Sequence, residues 1–387
     1  MNIWKDFKRV PLPNLLSFIV DNRGKTVPTD PNGTHKLIAT NCIDNEDLYP
    51  KYEKIRYLND RTFNTWFRAH PKAGDIIFVC KGTPGKVCLV PDPVDFSIAQ
   101  DMLALRVNSK LIYNKYLLAV LRSWKIQKQI EMTSIGDVIP HFKKSFLCQL
   151  EIPLPDMRLQ KKIGDSYYKI SRLEIVNKQI NDNLLSIMKA YFDHFESEYE
   201  VKLSEIADIS SSKRVFAKDY QNTGIPFYRG KEISKLSAGE QIKPELFISE
   251  QKFKALKDSA PLENQILITA VGTVGNIYKV ENNVLPFYFK DGNIIRVNLK
   301  NKNLTNYIYL WLISQQGQEK INASLIGSTQ KALTIKSVKK LSLSLPTDAS
   351  LQEFNKKTSI LFQEISNNKA ANKILDSLKK KLLQRYF

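Results

Sequence analysis

Polar residues with the side-chain types that contact nucleic acid cluster near the front of the chain. Arg and Lys can donate to guanine O6 and N7, and Asn can pair with adenine. Thr hydroxyls and backbone N–H groups in glycine turns typically hold phosphates. This first cluster predicts DNA contacts by Asn22, Arg23, Lys25, Thr26, Lys36 and Asn41.

A second cluster of the same character follows in the second half of the chain. For any single residue, the alternative is a solvated surface loop. Because the clusters recur with different identities, they are typical of a duplicated reader of two different half-sites. In the second cluster, DNA contacts are predicted for Lys213, Arg214, Tyr228, Arg229 and Lys231. Glycine-containing loops in both halves add the candidates Lys81, Thr83, Lys143, Thr273, Ser328, Thr329, Gln330 and Lys331.

The sequence contains none of the familiar motifs for catalysis, metal binding or nucleotide binding. The four histidines and four cysteines form no HExxH, CxxC or other zinc-binding pattern. The segment from Lys81 to Lys86 lacks the GxxxxGK[ST] spacing of a phosphate-binding loop. No carboxylate cluster and no Asn-Pro-Pro-aromatic motif is found. The sequence therefore predicts a chain that is not an enzyme and that itself holds no metal or cofactor.

A formal net charge of +19 indicates a polyanionic partner. Charge alone leaves DNA, RNA and an anionic membrane surface open, and a generally lysine-rich proteome is a further explanation. The apolar runs are too short to span a bilayer, and residues 1–10 contain no apolar signal region. The absence of paired cysteines favours a reducing, cytoplasmic location.

An internal repeat relates the two halves of the chain. Gly82-Thr83-Pro84-Gly85 matches Gly272-Thr273-Val274-Gly275 at an offset of 190 residues. Leu154-Pro155 matches Leu345-Pro346 at an offset of 191. Because such matches are colinear over most of each half, we predict a duplicated domain rather than a solenoid of short repeats.

Each half begins with short β-type runs and continues with helical stretches, which predicts an α+β fold. The predicted strands Ile76–Val79 and Ile266–Thr269 come directly before the Gly-Thr-x-Gly loops. The next predicted elements are helices at 113–129 and 306–318 and closing strands at 150–154 and 341–345. The predicted organisation is a globular domain at 1–156, a helix at 157–197, a second globular domain at 198–347 and a second helix at 348–387.

Both predicted long helices show a seven-residue repeat typical of a coiled coil. In the first helix, one set of heptad positions reads Ile163, Ile170, Asn177, Leu184 and Tyr191, and the other reads Leu159, Ser166, Leu173, Ile180 and Ile187. In the second helix, the sets are Thr358, Ile365 and Asn372, and Phe354, Leu361, Asn368, Leu375 and Leu382.

Chain order requires that the two helices, if they pair, run antiparallel. Leu159 then lies near Tyr386, and Asn177 faces Asn368. A buried Asn pair fixes register and orientation at some cost in stability. Contacts between the helices are predicted at Ile170, Asn177, Leu184, Leu361, Asn368 and Leu375.

The length of the helices suggests a ruler. Residues 159–195 make a helix of 37 residues, roughly 55 Å long at about 1.5 Å per residue. One turn of B-DNA is about 34 Å. Two domains at the ends of such a rod could each reach a major groove on one face of a duplex, giving a pseudo-twofold pair of readers.

With these features in place, the sequence resembles the specificity subunits of type I restriction-modification systems over nearly its whole length. The most characteristic segments are the Ile-Pro-Leu-Pro and Leu-Ser-Leu-Pro ends, each followed by Leu-Gln and a helix. The other segments that carry the resemblance are Asn22-Arg23-Gly24-Lys25-Thr26, residues 224–231, both Gly-Thr-x-Gly loops and Gly327-Ser328-Thr329-Gln330. The front of the first domain departs from the family, because Arg-Gly-Lys-Thr-Val-Pro replaces the usual Gly-x-Thr-Pro-type opening.

The resemblance implies two target-recognition domains separated by antiparallel helices, each reading half of an asymmetric double-stranded DNA site for adenine methylation or restriction. It also implies two methyltransferase (modification) subunits that grip the helices, and restriction/translocase subunits that join them. S-adenosylmethionine, ATP and Mg would belong to those partners, as would flipping of the target adenine.

Two other functions remain open from the sequence. A non-catalytic basic adaptor would join partners through its helices without reading DNA sequence, and its DNA affinity would depend on salt but not on sequence. A single-chain enzyme with an unrecognised site would methylate DNA when given S-adenosylmethionine alone.

Overall fold

The structure of the protein is a computed structural model that describes residues 3–22, 26–134, 140–240, 242–327 and 331–387. The chain divides into two compact units. The first unit comprises Met1–Val176 and Asn372–Phe387, and the second comprises Asn177–Ala371. Each unit therefore contains a globular part and segments of two long helices.

The first unit contains a four-stranded antiparallel sheet of order β2-β8-β5-β6, a three-stranded sheet of order β4-β3-β7, and the antiparallel pair β1-β9. Both β3 and β7 run in the same direction, with Ile38 opposite Ile98. The strands are β1 Arg9–Pro11, β2 Leu16–Asp21, β3 His35–Ile38, β4 Arg56–Leu58, β5 Ile76–Val79, β6 Val87–Leu89, β7 Phe96–Ile98, β8 Met102–Val107 and β9 Glu151–Pro153.

The second unit repeats this topology. Its sheets have the orders β11-β17-β14-β15, β13-β12-β16 and β10-β18. The strands are β10 Tyr199–Lys202, β11 Ala207–Ser210, β12 Ile225–Tyr228, β13 Phe247–Ile248, β14 Ile266–Thr269, β15 Ile277–Lys279, β16 Tyr288–Phe289, β17 Ile294–Leu299 and β18 Ser342–Leu345. The predicted α+β class and the predicted strands before the glycine loops, β5 and β14, are confirmed.

Two long helices, α5 and α12, each contribute residues to both units. The remaining helices are shorter and belong to one unit each. The helices are α1 Ile3–Asp6, α2 Asp60–Thr65, α3 Asn114–Leu121, α4 Trp124–Thr133, α5 Met157–Asp193, α6 Leu203–Ile206, α7 Gly230–Ser237, α8 Glu250–Ala255, α9 Thr305–Ile313, α10 Gln315–Ala323, α11 Ile335–Lys339 and α12 Asp348–Tyr386.

The helix predicted in the middle of each half is broken in two at a serine. Ser314 has extended backbone between α9 and α10, and its hydroxyl accepts the N–H of Gly317 at 3.2 Å. A Cβ atom on Gly317 would lie 2.0 Å from the carbonyl oxygen of Trp311. Ser123 separates α3 and α4 with the same extended backbone, but its hydroxyl donates to Val120 O at 2.6 Å and does not cap α4. The prediction of one continuous helix was wrong because an extended serine ends one helix and precedes the next in each half.

The central strand of each four-stranded sheet is buried on both faces. In β5, Ile76 and Phe78 pack into one core cluster, whereas Ile77 and Val79 pack into a second cluster on the opposite face. In the second unit, β14 is likewise buried along its length. A strand covered on both sides has a continuous apolar sequence rather than an alternating one, which explains the runs seen in both halves.

Helices α5 and α12 run antiparallel in each unit. In the first unit, Lys379 Nζ donates to Glu174 Oε2 at 2.7 Å. The ring centroids of Phe387 and Tyr116 lie 6.0 Å apart, so the last residues pack against the first globular part. In the second unit, the rings of Tyr191 and Phe354 stack with centroids 5.6 Å apart.

The predicted heptad positions hold for α12 but only half of them hold for α5. In α12, both sets are buried or half-buried throughout. In α5, the set containing Ile163, Ile170 and Leu184 lies in the seam. In the other predicted set, Leu159 packs against the first core, but the assignment of Leu173, Ile180 and Ile187 was wrong, because they are 52%, 40% and 57% exposed.

The second seam position of α5 is instead occupied by Tyr167, Glu174, Asn181 and Met188. The polar members Glu174 and Asn181 find partners on α12. Asn368 Nδ2 donates to Asn181 Oδ1 at 2.9 Å, one helical turn from the predicted partner Asn177. The antiparallel orientation is therefore as expected, whereas the Asn pair was assigned to the wrong residue of α5.

None of the helices in the described segments is both long and apolar enough to cross a membrane.

Candidate nucleic-acid interface

In the first unit, most of the predicted contact residues lie in loops at one edge of the four-stranded sheet, namely the edge where strands begin or end. Both β2 and β5 end at this edge, and β8, antiparallel to both, begins there at Met102, which pairs with Val79. The described parts of three loops extend from this edge, at residues 22, 26–27, 80–86 and 140–144, and we call them the first loop edge. The corresponding parts of the second unit, at 211–216, 270–276, 327 and 331–334, form the second loop edge.

The Gly-Thr-x-Gly loops have the same conformation in both units. Their glycines have left-handed φ angles of +84° and +86° at Gly82 and Gly85, and +79° and +86° at Gly272 and Gly275. This region favours glycine because a Cβ atom is strained there. A Cβ atom on Gly85 would also approach Ile130 to 2.9 Å.

Equivalent glutamines anchor these two loops. Gln127 Nε2 donates to Gly85 O at 2.8 Å and also to Leu121 O at 2.6 Å. Gln318 Nε2 donates to Gly275 O at 3.1 Å and to Leu312 O at 2.7 Å. The loop backbone is therefore fixed by the same contacts twice, and Thr83 and Thr273 at the tips are exposed.

The glycine loop of each unit is joined to a later loop, which follows α4 in the first unit and α10 in the second. Lys81 forms a β-bridge with His141, and Gly82 N donates to Pro140 O at 3.0 Å. In the second unit, Val271 bridges Ala332 in the same way. Backbone contacts thus bring together loops that lie more than fifty residues apart in the chain.

At the first loop edge, Thr26, Lys81, Thr83 and Lys143 are exposed. Lys36 and Asn41 are also accessible, but they are partly engaged within the protein. Lys36 forms an ion pair with Asp95 and lies 4.6 Å from the ring centroid of Tyr52. Asn41 is exposed, and its Nδ2 donates to Glu53 O at 2.7 Å.

Asn22 is not available to DNA. Its side chain is buried, with 2% of the residue exposed. Its Nδ2 donates to Ala69 O at 2.9 Å, and its Oδ1 accepts the N–H of Arg68 at 3.0 Å. The prediction of a DNA contact was wrong because both ends of the amide stabilise the loop at 68–69.

Lys213 and Arg214 present their side chains at the second loop edge on a fixed backbone. The hydroxyl of the buried Tyr288 accepts the N–H of Lys213 at 2.9 Å and donates to its carbonyl oxygen at 3.0 Å. Both side chains are exposed, and Arg214 lies 3.8 Å from Asp291. The cations are therefore accessible while their main chain is held in place.

Tyr228 is a core residue rather than a DNA contact. It is 4% exposed and packs against Phe287 with ring centroids 4.7 Å apart. Burial, and then the nearby carboxylate of Glu232, raises the pKa of its hydroxyl. The prediction of a DNA contact at this residue was wrong, because the tyrosine completes an apolar cluster.

The basic residues that follow Tyr228 are held by carboxylates. Arg229 forms ion pairs with Glu232 at 2.9 Å and with Glu245 at 2.6 Å. Lys231 binds the second oxygen of Glu245 at 3.0 Å. The hydrogen bond from Lys231, followed by that from Arg229, lowers the pKa of Glu245. A DNA phosphate would have to compete with this carboxylate for both cations.

Five predicted contacts lie outside the described residues: Arg23, Lys25, Ser328, Thr329 and Gln330. Lys331, which follows them in the chain, is exposed.

An exposed aromatic residue at the second loop edge did not enter the sequence prediction. Phe216 is 54% exposed, and the guanidinium of Arg214 lies 5.5 Å from its ring centroid. The adjacent Val215 is buried and anchors the segment to the core. The sequence signal was a phenylalanine two residues after the basic pair Lys213-Arg214, an arrangement that fits contact with a thymine methyl group.

A metal site is not formed by the described residues, since no group of three or more His, Cys, Asp or Glu side chains could hold an ion there.

Comparisons with known proteins agree on one family. The model of the type I restriction modification DNA specificity domain matches twice, at residues 30–185 and 196–380. The MjaIX type I restriction enzyme specificity subunit of Methanocaldococcus jannaschii is 23% identical over 343 residues, which cover 82% of this chain and 77% of that protein. The putative MjaX specificity subunit of the same organism is 24% identical over 341 residues, covering 80% and 76%.

Among solved structures, the S subunit of a type I restriction-modification system from M. genitalium has a similar fold. The TM-score is 0.55 at 17% sequence identity, and the match covers 99% of this chain and 97% of that one. Because the two family matches together span most of the chain, one in each half, this chain belongs to the type I restriction-modification DNA specificity family as a specificity (S) subunit.

Proposed function

We propose that the two units each read one half of an asymmetric double-stranded DNA site, the first through the first loop edge and the second through the second loop edge. The chain is a sequence-specificity subunit and not the catalytic component of its system. The observation that carries the proposal is the pair of equivalent glycine loops, fixed by Gln127 and Gln318 and surrounded by different polar residues.

A domain exchange tests this division of labour. Replacing residues 1–156 with the corresponding domain of another S subunit should change one half of the site methylated by the complete system. The other half should stay the same, as read by methylome sequencing. A change in both halves, or in neither, would contradict the assignment of one half-site to each unit.

Single substitutions separate base reading from phosphate binding. Lys213→Ala should weaken DNA binding because its ammonium is exposed on a fixed backbone, and Tyr228→Phe is the matched control in the core. If the loss is equal for all sequences, Lys213 binds phosphate; if preference at one base position relaxes, it reads a base. Unchanged binding in Lys213→Ala would remove this residue from the interface.

The helices support a ruler between the half-sites. Helix α5 contains 37 residues, which is roughly 55 Å at about 1.5 Å per residue. Inserting one heptad into α5 and one at the facing position of α12 should widen the spacer while both half-sites stay the same. Altered half-sites would contradict a ruler.

Exposed apolar residues on α5 support docking of two methyltransferase subunits on the helices. Leu173, Ile180 and Ile187 recur every seven residues on its solvent side, and a contiguous exposed apolar stripe marks an interaction surface. Ile180→Glu with Ile187→Glu should abolish assembly in size-exclusion chromatography, whereas Gln179→Glu, next to the stripe, should leave assembly intact. Assembly that withstands both glutamates would place the methyltransferase elsewhere.

The cofactors then belong to the partner subunits. S-adenosylmethionine and ATP with Mg would bind the methyltransferase and the restriction/translocase subunits, respectively. Isothermal titration of the isolated chain with S-adenosylmethionine should show no heat of binding, and the assembled complex should show it. Binding by the isolated chain would favour an enzyme instead.

A further inference from the structure

Five lysines lie close together on one surface of the second unit, around α11 and the end of β10. Four of them, Lys202, Lys336, Lys339 and Lys340, line a shallow cavity of about 580 Å³ together with Ser204 and Ile335. The fifth, Lys320, donates to Ser342 O at 2.7 Å, and Ser342 is the strand partner of Lys202. We call Lys202, Lys320, Lys336, Lys339 and Lys340 the lysine surface.

The charges of the lysine surface are not balanced within the protein. None of its five ammonium groups forms an ion pair within the described segments of the chain. The nearby Glu205 carboxylate accepts the backbone N–H of Lys202 at 3.3 Å and not its ammonium group. Five like charges in one place repel one another, and this cost is removed when a polyanion binds.

In the first unit, none of the positions equivalent to the lysine surface is charged, although Arg9, Lys125 and Lys128 line a cavity there. The pairings Pro11–Glu151 and Lys202–Ser342 occupy the same place in the two small sheets, which makes Pro11 the equivalent of Lys202. The repeat offset of 191 assigns the other four positions. The residues equivalent to the lysine surface are Pro11, Gln129, Ser145, Cys148 and Gln149, and none of them is charged.

The chain connects the second loop edge directly to the lysine surface. Leu333 N donates to Ala270 O at that edge, and α11, which carries Lys336 and Lys339, begins two residues later. The exposed Lys331 lies between the edge and the helix in the chain. A ligand that follows these cations from the loop edge has to carry several negative charges.

We propose that the lysine surface binds phosphates of the duplex beside the second half-site. The proposal rests on the proposed function. A protein partner fits less well, because the cores of protein interfaces are depleted in lysine. Surfaces that bind DNA are far more positively charged.

Salt dependence of DNA binding by the full chain tests the proposal. The slope of log affinity against log salt changes by roughly 0.9 for each phosphate contact. Lys336→Ala, Lys339→Ala and Lys340→Ala together should therefore reduce the slope by about 2 to 3. Fluorescence anisotropy with a labelled 30-base-pair duplex of random sequence measures it, and the loss should be equal for a duplex that contains the target site.

Two matched triple variants serve as controls. Ser145→Ala, Cys148→Ala and Gln149→Ala alter the equivalent positions of the first unit and should leave the slope unchanged. Lys235→Ala, Lys254→Ala and Lys257→Ala remove the same charge elsewhere in the second unit and should change it by less than one contact. Ser145→Lys, Cys148→Lys and Gln149→Lys should increase the slope, which keeps the proposal testable if the alanine variant fails to fold.

An unchanged slope in the folded alanine variant would overturn the proposal. Loss of methyltransferase assembly with an unchanged slope would also overturn it and assign the surface to an acidic protein. Failure of the proposed function would be distinct from both, because the wild-type chain would then show no preference for any DNA sequence while its salt slope could still be measured.

Discussion

The two units use the same scaffold, but they place different chemistry at equivalent positions inside it. In the helix seam, the first unit holds the ion pair Lys379–Glu174 where the second unit holds Met188 and Ile365. In the edge strand of the four-stranded sheet, the second unit has Lys279 where the first has the buried Leu89. The repeat therefore preserves the backbone and the glycine loops, while charged and apolar side chains exchange places within the cores.

The largest expected effect compares one core position of the two units. Phe354 is fully buried and its ring contacts Tyr191, Phe195 and Tyr307, whereas the equivalent residue of the first unit is Ile163. Phe354→Ala should lower the free energy of unfolding by about 3–5 kcal/mol, and Ile163→Ala should lower it by about 2–5 kcal/mol.

Hydrogen exchange read by mass spectrometry shows which unit loses protection. Phe354→Ala should raise exchange most in β14 and β17, and Ile163→Ala should raise it most in β5 and β8. Identical exchange patterns in the two variants would show that the units unfold together and would break the comparison.

Removing one partner of the ion pair Lys379–Glu174 should destabilise the protein, whereas replacing both partners with apolar residues should not. Lys379→Met leaves Glu174 without its partner in a half-buried position, which should cost about 3–5 kcal/mol. Adding Glu174→Ile gives the pair found in the second unit, and the double variant should be at least as stable as the wild type. Chemical denaturation measures the free energies of unfolding, and a double variant as unstable as the single one would show that the seams are not equivalent.

Lys279 should make the stability of the second unit depend on pH. Burial, opposed by Glu281, lowers its pKa to about 8. The folded state therefore holds fewer protons than the unfolded state between about pH 8 and the usual lysine pKa, so stability should rise with pH over that range. Lys279→Leu, which installs the residue of the first unit, should stabilise by about 1–3 kcal/mol at pH 7.

Thermal unfolding of the two proteins between pH 7 and 10 gives the comparison. The melting temperature of the wild type should approach that of Lys279→Leu as pH rises. A constant difference across this range would mean that the ammonium, 2.9 Å from Asn306 Oδ1 and 3.5 Å from the ring centroid of Phe362, keeps its charge at little cost.

The smallest effect concerns Glu245, which holds Arg229 and Lys231. The first unit has no basic residue at those two places, since Ala39 and Asn41 are the equivalents. Glu245→Gln should strengthen DNA binding a few-fold, because it releases two cations. Fluorescence anisotropy at about 0.1 M salt, where the Debye length is about 10 Å, measures the affinity. The nearby Glu240→Gln is the control, and equal gains in both variants would reduce the effect to net charge.

Much of the fold follows from the sequence because it repeats. The strands before the glycine loops, the strand before each Leu-Pro and the antiparallel helices were all predictable from apolar runs and the offset of 190 to 191 residues. The second seam set of α5 was not predictable by apolar spacing, because Glu174 and Asn181 lie inside and Leu173 lies outside. Glu174 and Asn181 are in the seam because their partners Lys379 and Asn368 lie on α12.

The candidate contacts were predictable as loops but not as individual side chains. Asn22 and Tyr228 both have suitable side chains for DNA contact. However, the Asn22 amide forms hydrogen bonds to the 68–69 loop, and the Tyr228 ring packs in an aromatic cluster. Their neighbours Thr26 and Lys231 remain accessible. Residue type gives the chemistry that is possible, and only the tertiary contacts show whether a side chain is free to perform it.

The packing of Phe387 against Tyr116 has a consequence for synthesis of the protein. The core of the first unit is completed by Leu382, Leu383 and Tyr386, which leave the ribosome after the whole second unit. The nascent first unit therefore exposes the apolar face of α5 while the second unit is made and folds. A mutation that stops translation within the last turns of α12 therefore removes part of the core of the first unit, although that unit is synthesised first.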